Sequence, residues 1–312
     1  MKLSLSSVSL NPYIQRNISL NSAFHAFKAT GFSYMDYEIT FDALENDWRT
    51  YAKTVKNALE ENGISAPQGH APMPNHLDPR GIDCFEVFKK ALEFAKISGI
   101  PKIVIHPGAR EGNTREEFFD KNISFFKTLI PVAEETGVGV MLENIGNYAD
   151  PYYLHTGANL REMVDGVGHK LFTACWDVGH ANLYRQEDVN QYDSILALSD
   201  KLTALHVNDN CGYFTEPHLH GRIDMHVMPF ASYYTSVNYD SLIQGLKDID
   251  YKGTFNFEVI TPGCAALRAP FIYQGKEVRK IDIMPLEIWQ TLNAALYSMG
   301  KYMLGVHDVF EQ

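Results

Sequence analysis

A single (β/α)8 barrel is the fold this sequence predicts. Short apolar runs alternate with longer amphipathic segments along the whole 312-residue chain, eight such runs can be counted, and no Pro/Ser-rich linker or change of composition divides them. Length alone allows one large domain or two small ones, so periodicity decides. A doubly wound open sheet is the alternative. It loses ground because no G-x-G-x-x-G or G-x-x-x-x-G-K-[ST] follows any apolar run, which also leaves no cradle for a nucleotide cofactor.

The strand candidates begin with Leu3 to Leu10, Tyr34 to Ile39, Ala66 to Ala71 and Lys102 to His106, and continue with Gly139 to Ile145, Leu171 to Asp177, Leu202 to Asn208 and Thr254 to Ile260. Between them WRTYAKTVKNALEENG, CFEVFKKALEFAKISG and EEFFDKNISFFKTLIPVAEETG read as helices, each closing on a Gly suited to a C-terminal cap. A last helix from about Pro285 to Leu304 completes the ring. The whole of 1–312 is thus expected to be one domain. Two connections are long, about 209–236 and 261–285. In a barrel both hang over the face where active sites form, as substrate-covering loops.

Composition narrows the class. Apolar residues at 45% and charged residues at 21% describe a folded globular chain. A net charge of −11 repels polyphosphate and makes nucleic acid a disfavoured partner. Four cysteines, at 84, 175, 211 and 264, include no C-x-x-C pair and suit reduced thiols. The polar amino terminus and the lack of an apolar run near 18 residues point to the cytoplasm and away from a membrane.

His70, His106, Glu143, Asp177, His206 and Glu258 each fall at or near the carboxyl end of a separate strand candidate. An imidazole or acid ending one strand is ordinary, and is usually a hydrogen-bonded core or rim group. Six in succession converge on one mouth of a barrel. Converging carboxylates repel unless a cation neutralises them, so a divalent metal ion is the simplest account. Mixed oxygen and nitrogen donors suit Mn, Zn, Co or Fe and suit Mg less well. Asp177-Val178-Gly179-His180 and Asp224-Met225-His226 place further imidazoles within reach, whereas Glu216, His218 and His220 read first as rim residues.

These residues resemble the xylose isomerase-like barrel superfamily, which holds sugar isomerases, ketose 3-epimerases and the endonuclease IV nucleases. The likeness runs over nearly the whole chain, through VIHPG (104–108), MLENIG (141–146), WDVGHAN (176–182), ALHVNDN (204–210), DMHVMP (224–229) and FNFEV (255–259). It implies a single-metal site of Glu143, Asp177, His206 and Glu258, with Glu143 and Glu258 also exchanging protons with substrate. It further implies that His180 and the strand-two acid Glu38 touch sugar hydroxyls. Endonuclease IV-like members use a larger set, matched here by adding His70, His106, His180, Asp224 and His226, which could hold three zinc ions around a phosphodiester.

The first functional expectation is therefore an isomerase or epimerase of a small sugar. The ion polarises a carbonyl, Glu143 or Glu258 removes the neighbouring proton, an enediolate is held on the metal, and the opposite glutamate returns a proton. The alternative is an endonuclease IV-like zinc-dependent phosphodiesterase acting on abasic DNA. Charge is the discriminator, because no strand-end loop carries a dense basic run and the best basic candidates are Arg222 and, beyond the last strand, Arg268, Lys276, Arg279 and Lys280. Tyr213, Phe214, Tyr233 and Tyr234 can stack on bases or wall a sugar pocket equally well. The arginine that some epimerases carry shortly after the seventh strand is missing, and Arg222 is its candidate substitute. A binding protein on a decayed barrel predicts lost ligands, and the four core matches are all present. The segment GCAALRAPFIYQGKEVRKIDIM after Glu258 has room to shape substrate choice or a subunit contact in a homo-oligomer.

Overall fold

The eight runs become eight parallel strands. They are β1 Leu3–Ser6, β2 Tyr34–Glu38, β3 Ser65–His70, β4 Lys102–Ile105, β5 Gly139–Glu143, β6 Phe172–Asp177, β7 Leu202–His206 and β8 Phe255–Phe257. The structure is a computed structural model and describes residues 1–78, 81–145, 153–185, 189–214, 221–222, 224–260, 271–278 and 283–311. Each strand pairs with the next from β1 to β7, and β8 returns beside β1. A short seam completes the ring: Val207 donates its N–H to Asn256 O at 2.7 Å, and Glu258 donates its own to Val207 O at 3.0 Å.

Period-two alternation then fixes what faces inward. If Glu143, Asp177, His206 and His106 point into the mouth, so do the residues two positions earlier. Met141, Cys175, Ala204 and Val104 do form a small buried cluster of their own, apart from the large one between sheet and helices. On the other half of the ring the same layer is polar, with Asp36, Gln68 and Asn256 all buried. Half of the floor is therefore apolar and half is a hydrogen-bonding surface. On the outer face Trp176 is fully buried, and its ring N–H donates to Gln191 Oε1 at 2.8 Å.

Most of the helices are capped by short polar side chains at their N-termini, and the glycine caps read from the sequence stand at the helix ends. Helix Trp48–Glu61 starts at Asp47 and helix Cys84–Ser98 at Asp83, each carboxylate accepting a first-turn N–H. Gly99 closes the second helix in the left-handed region at φ 79°. Thr114 and Glu117 form a reciprocal capping box on helix Arg115–Thr128. The single helix expected over 116–137 divides, because a second helix, Ile130–Thr136, restarts with proline in its first turn. The last helix runs Leu286–Val306.

The first strand is shorter than the run Leu3 to Leu10. Ser6 Oγ accepts from Val8 N at 3.2 Å and turns the chain into a short 3-10 turn. Of the two long connections, 209–236 contributes a small hairpin of Tyr213–Phe214 with Gly221–Arg222, and 261–285 contributes another of Phe271–Tyr273 with Lys276–Val278. Glu216, His218, His220, Cys264, Arg268, Arg279 and Lys280 lie outside the described residues, as do the side chains of Tyr213, Phe214 and Arg222. No helix among the described residues is long and apolar enough to cross a membrane.

Candidate metal centre

At the carboxyl ends of β5 to β8 the sequence motifs lock together residue by residue. Asn144, just past β5, receives the Asp177 N–H on its Oδ1 at 2.7 Å and donates its amide to Asp177 O at 2.8 Å. This clamps the end of β6. Asp177 then caps the next helical turn by accepting from His180 N at 2.6 Å, and its other oxygen accepts from Asn208 Nδ2 at 2.8 Å. Asp209 gathers the loop after β7, because its Oδ1 accepts the backbone N–H groups of Ser236 and Val237. Asn210 meets Asn182. Each polar residue in WDVGHAN and LHVNDN thus has a mechanical task or a place in the site.

Gly179 is part of that fit. A Cβ there would lie 1.8 Å from Asn208 Oδ1, so any side chain expels Asn208 from Asp177. Gly179→Ala is expected to cost about 1–3 kcal/mol of stability and to weaken metal retention at the same time. Denaturant unfolding together with metal analysis of the purified variant measures both, and an unchanged midpoint with full metal content would contradict the assignment.

Glu143, Asp177, His206 and Glu258 are all buried, and one donor atom from each lies within 4.8 Å of the others. Two further groupings adjoin this one: His70 with Glu143 and His206, and Asp177 with His180 and His226. His206 Nδ1 stands 3.1 Å from Glu143 Oε1 and 3.3 Å from Glu258 Oε2. His106 Nε2 is 2.9 Å from Glu143 Oε2 and 3.0 Å from His70 Nε2. Asp224 Oδ2 lies 3.0 Å from His180 Nε2 and 2.9 Å from His226 Nε2, and its Oδ1 is buried with no partner.

The imidazoles are oriented as metal ligands are. Nδ1 of His70 faces Ala71 O at 2.7 Å, that of His180 faces Asn144 O at 2.7 Å and that of His226 faces Glu258 O at 3.2 Å. Each carbonyl takes the N–H and leaves Nε2 free to face the acids. His206 is reversed, with Nε2 on Asp36 Oδ2 at 3.0 Å and Nδ1 toward the glutamates. Three buried carboxylates sharing a space with correctly turned imidazoles fit a divalent ion of the Mn, Zn or Co type.

Without an ion, protons do the neutralising. Burial opposes protonation of the histidines, but at four of them neighbouring acids outweigh it, lifting His70 to about 10 and His226 to about 9, with His180 and His206 also well above the usual imidazole range, whereas at His106 burial prevails and lowers it. Burial likewise opposes ionisation of Glu143, yet His206 and His106 hold its carboxyl low. Burial pushes Asp177 up to about 6 and Glu38 up to about 7. An incoming ion must therefore expel imidazole protons. Calorimetry near pH 7.5 in buffers of different ionisation enthalpy is expected to show at least one proton released per ion. Affinity should rise toward pH 9 and fall steeply below pH 6, where Asp177 also binds a proton. A buffer-independent heat would count against this.

Of the residues singled out in the sequence, Glu143, Asp177, His206, Glu258, His70, His106, His180, Asp224 and His226 come together in one cluster. Glu38 stands at its edge, 3.9 Å from His70 Nδ1. The Arg222 side chain is outside the described residues. Sequence reasoning passed over Asp36, which is 1% exposed and collects Gln68 Nε2 at 2.8 Å, His206 Nε2 and Asn256 Nδ2 at 3.0 Å on a single oxygen. The available signal was alternation: Asp36, Gln68 and Asn256 stand two residues before Glu38, His70 and Glu258. Asp36→Asn is expected to keep the fold and weaken metal binding about 10- to 100-fold, read by competition with a chelating dye. Unchanged affinity would remove Asp36 from the site.

The profile of the xylose isomerase-like TIM barrel family matches residues 24–278. An uncharacterised protein of Methanocaldococcus jannaschii is 25% identical over 198 residues, covering 61% of this chain and 62% of that protein. A probable endonuclease 4 of Bacillus licheniformis is 29% identical over 164 residues, covering 49% and 54%. The chain thus spans less than two thirds of the length of these relatives. The crystal structure of D-psicose 3-epimerase with D-tagatose, from Clostridium cellulolyticum H10, superposes with a TM-score of 0.71 at 16% identity, covering 97% of this chain and 99% of that one.

Proposed function

We propose that this chain, which belongs to the xylose isomerase-like TIM barrel family, is a metal-dependent isomerase or epimerase of a small sugar or sugar derivative. The observation that carries the reading is the placement of Glu143 and Glu258 against the same nitrogen of His206, with Asp177 completing the group. When bound there, a divalent ion would supply Lewis acidity toward a carbonyl and its neighbouring hydroxyl. Glu143 ends β5 and Glu258 follows β8, so the two carboxylates reach a sugar held at the group from different strands. One takes the proton beside the carbonyl and the other returns one. Glu258, at 8% exposure, is the more accessible of the two. In this reading His180 and Glu38 meet the hydroxyls of the bound sugar.

The adjoining sets, His70 with His106 and His180 with Asp224 and His226, favour a second reading, an endonuclease IV-like zinc phosphodiesterase. Against it stands the net charge of −11. Metal content per chain with anomalous scattering separates the two. One ion on Glu143, Asp177, His206 and Glu258 is expected. Three zinc ions that also engage His70, His106, Asp224 and His226 would sink the single-metal epimerase.

A further inference from the structure

Beside the metal centre lies a cavity of about 300 Å³ that the proton-transfer chemistry does not use. Its walls come from the loops that follow β3, β4 and β5, and His106 is one of them. Because His106 Nε2 is 2.9 Å from Glu143 Oε2, this space is one side chain away from the carboxylate at the centre of the cluster. The rest of the lining is Met73, Pro74, Asn75, Pro107, Ala109 and Ile145.

The one amide in that wall is tied to the loop after β4. Asn75 Nδ2 donates to Ala109 O at 2.6 Å, and its Oδ1 accepts from Ala109 N at 3.2 Å and Leu77 N at 3.0 Å. Pro74 and Pro107 have no N–H to offer. No lysine or arginine lines the cavity among the described residues. Met73, Pro74, Pro107, Ala109 and Ile145 make most of the wall apolar, so an uncharged apolar group is the best fit to it.

The wall is also built rather than incidental. Asn122 clamps Gly108 from both sides, accepting its N–H at 2.7 Å and donating to its carbonyl at 3.0 Å. A Cβ on Gly108 would meet Leu77, Asn75 and His76 at 2.8–2.9 Å, so the two loops close on each other only because this residue has no side chain. The space is preformed, and about 150 Å³ of apolar cavity is enough for a benzene ring.

We infer that this cavity is the subsite for an uncharged apolar substituent, an aryl or short alkyl aglycone, carried by the sugar whose polar part lies on the metal centre. The substrate class is then a keto-glycoside or comparable conjugate, in which a ring carbonyl and its neighbouring C–H meet the metal centre while the apolar substituent fills the cavity. The inference rests on the sugar reading above and extends it to one side of the substrate.

The test compares the methyl and phenyl β-glycosides of glucose, galactose and xylose, each oxidised to a ketone at C3 so that an exchangeable C–H stands beside a carbonyl, by calorimetry on the metal-loaded protein. At least one phenyl glycoside is expected to bind about 10-fold or more tightly than its methyl partner. Met73→Glu, which puts a charge on the wall, is expected to remove that gain and leave methyl glycoside binding unchanged. Phenyl glycosides that gain nothing in all three sugars, or keep their advantage in Met73→Glu, would overturn the inference. Exchange of substrate C–H with deuterated solvent reads the proton-transfer role separately. Exchange without a phenyl preference overturns the subsite alone, and a phenyl preference without exchange overturns the epimerase reading alone.

Discussion

Replacement of Glu143 by Gln is expected to lower turnover of the sugar substrate by at least about 10³-fold, since loss of a positioned acid or base alone costs about 10²–10⁴. The proposed function gives Glu143 two tasks. One oxygen faces His106 and the other His206, and both lie in the group that includes Asp177 and Glu258. Gln cannot carry the charge that pairs with an ion, and it cannot take a proton from carbon. Its amide would also place N–H groups against imidazole nitrogens that need an acceptor. Steady-state kinetics with metal analysis separates the two losses, because a variant reloaded with excess ion regains binding and not exchange. Glu258→Gln should retain more metal, since Glu258 belongs to one of the donor groupings where Glu143 belongs to two, and still fail to exchange. A Glu143→Gln or Glu258→Gln chain that turned over substrate at the original rate would end the two-glutamate scheme.

Chelation is expected to inactivate the protein and to lower Tm by on the order of 10 °C. An ion present at about 1,000 times its Kd stabilises by about 4 kcal/mol, and each kcal/mol shifts Tm by roughly 2–4 °C in a chain of this size or slightly smaller. The stripped site holds Glu143, Asp177 and Glu258 together under imidazoles that must then stay protonated. The deficit should deepen as pH rises toward 9 and those protons leave. Scanning calorimetry with and without chelator, at pH 6 and pH 8.5, reads this directly. A Tm indifferent to chelator at both values would mean that no ion is held by the cluster.

How much of this was legible without coordinates depended on period. The spacing of short apolar runs between amphipathic segments marked all eight strands, and Asp177 and His206 do end β6 and β7. The predicted runs overshoot most strands because Asn144, Asn208 and Glu258 still read as strand in sequence while their backbones have begun to serve the site. The break before Pro131 was visible as a proline and was read through. What stayed hidden was pairing across the ring: nothing near Asp36 in sequence announces His206, 170 positions away. The Asn75 clasp on Ala109 joins residues 34 apart and was equally silent.

The seam between β7 and β8 has a kinetic consequence. Parallel ladders join the other neighbouring strands, whereas this junction rests on Val207 bonded to Asn256 and Glu258. Amides along it should be among the first in the barrel to exchange with solvent. His206 ends β7 on one side and Glu258 follows β8 on the other, 3.3 Å apart across the line. Any ligand that grips both is a rivet through the weakest joint of the cylinder, so its residence time and the breathing of the barrel become one rate.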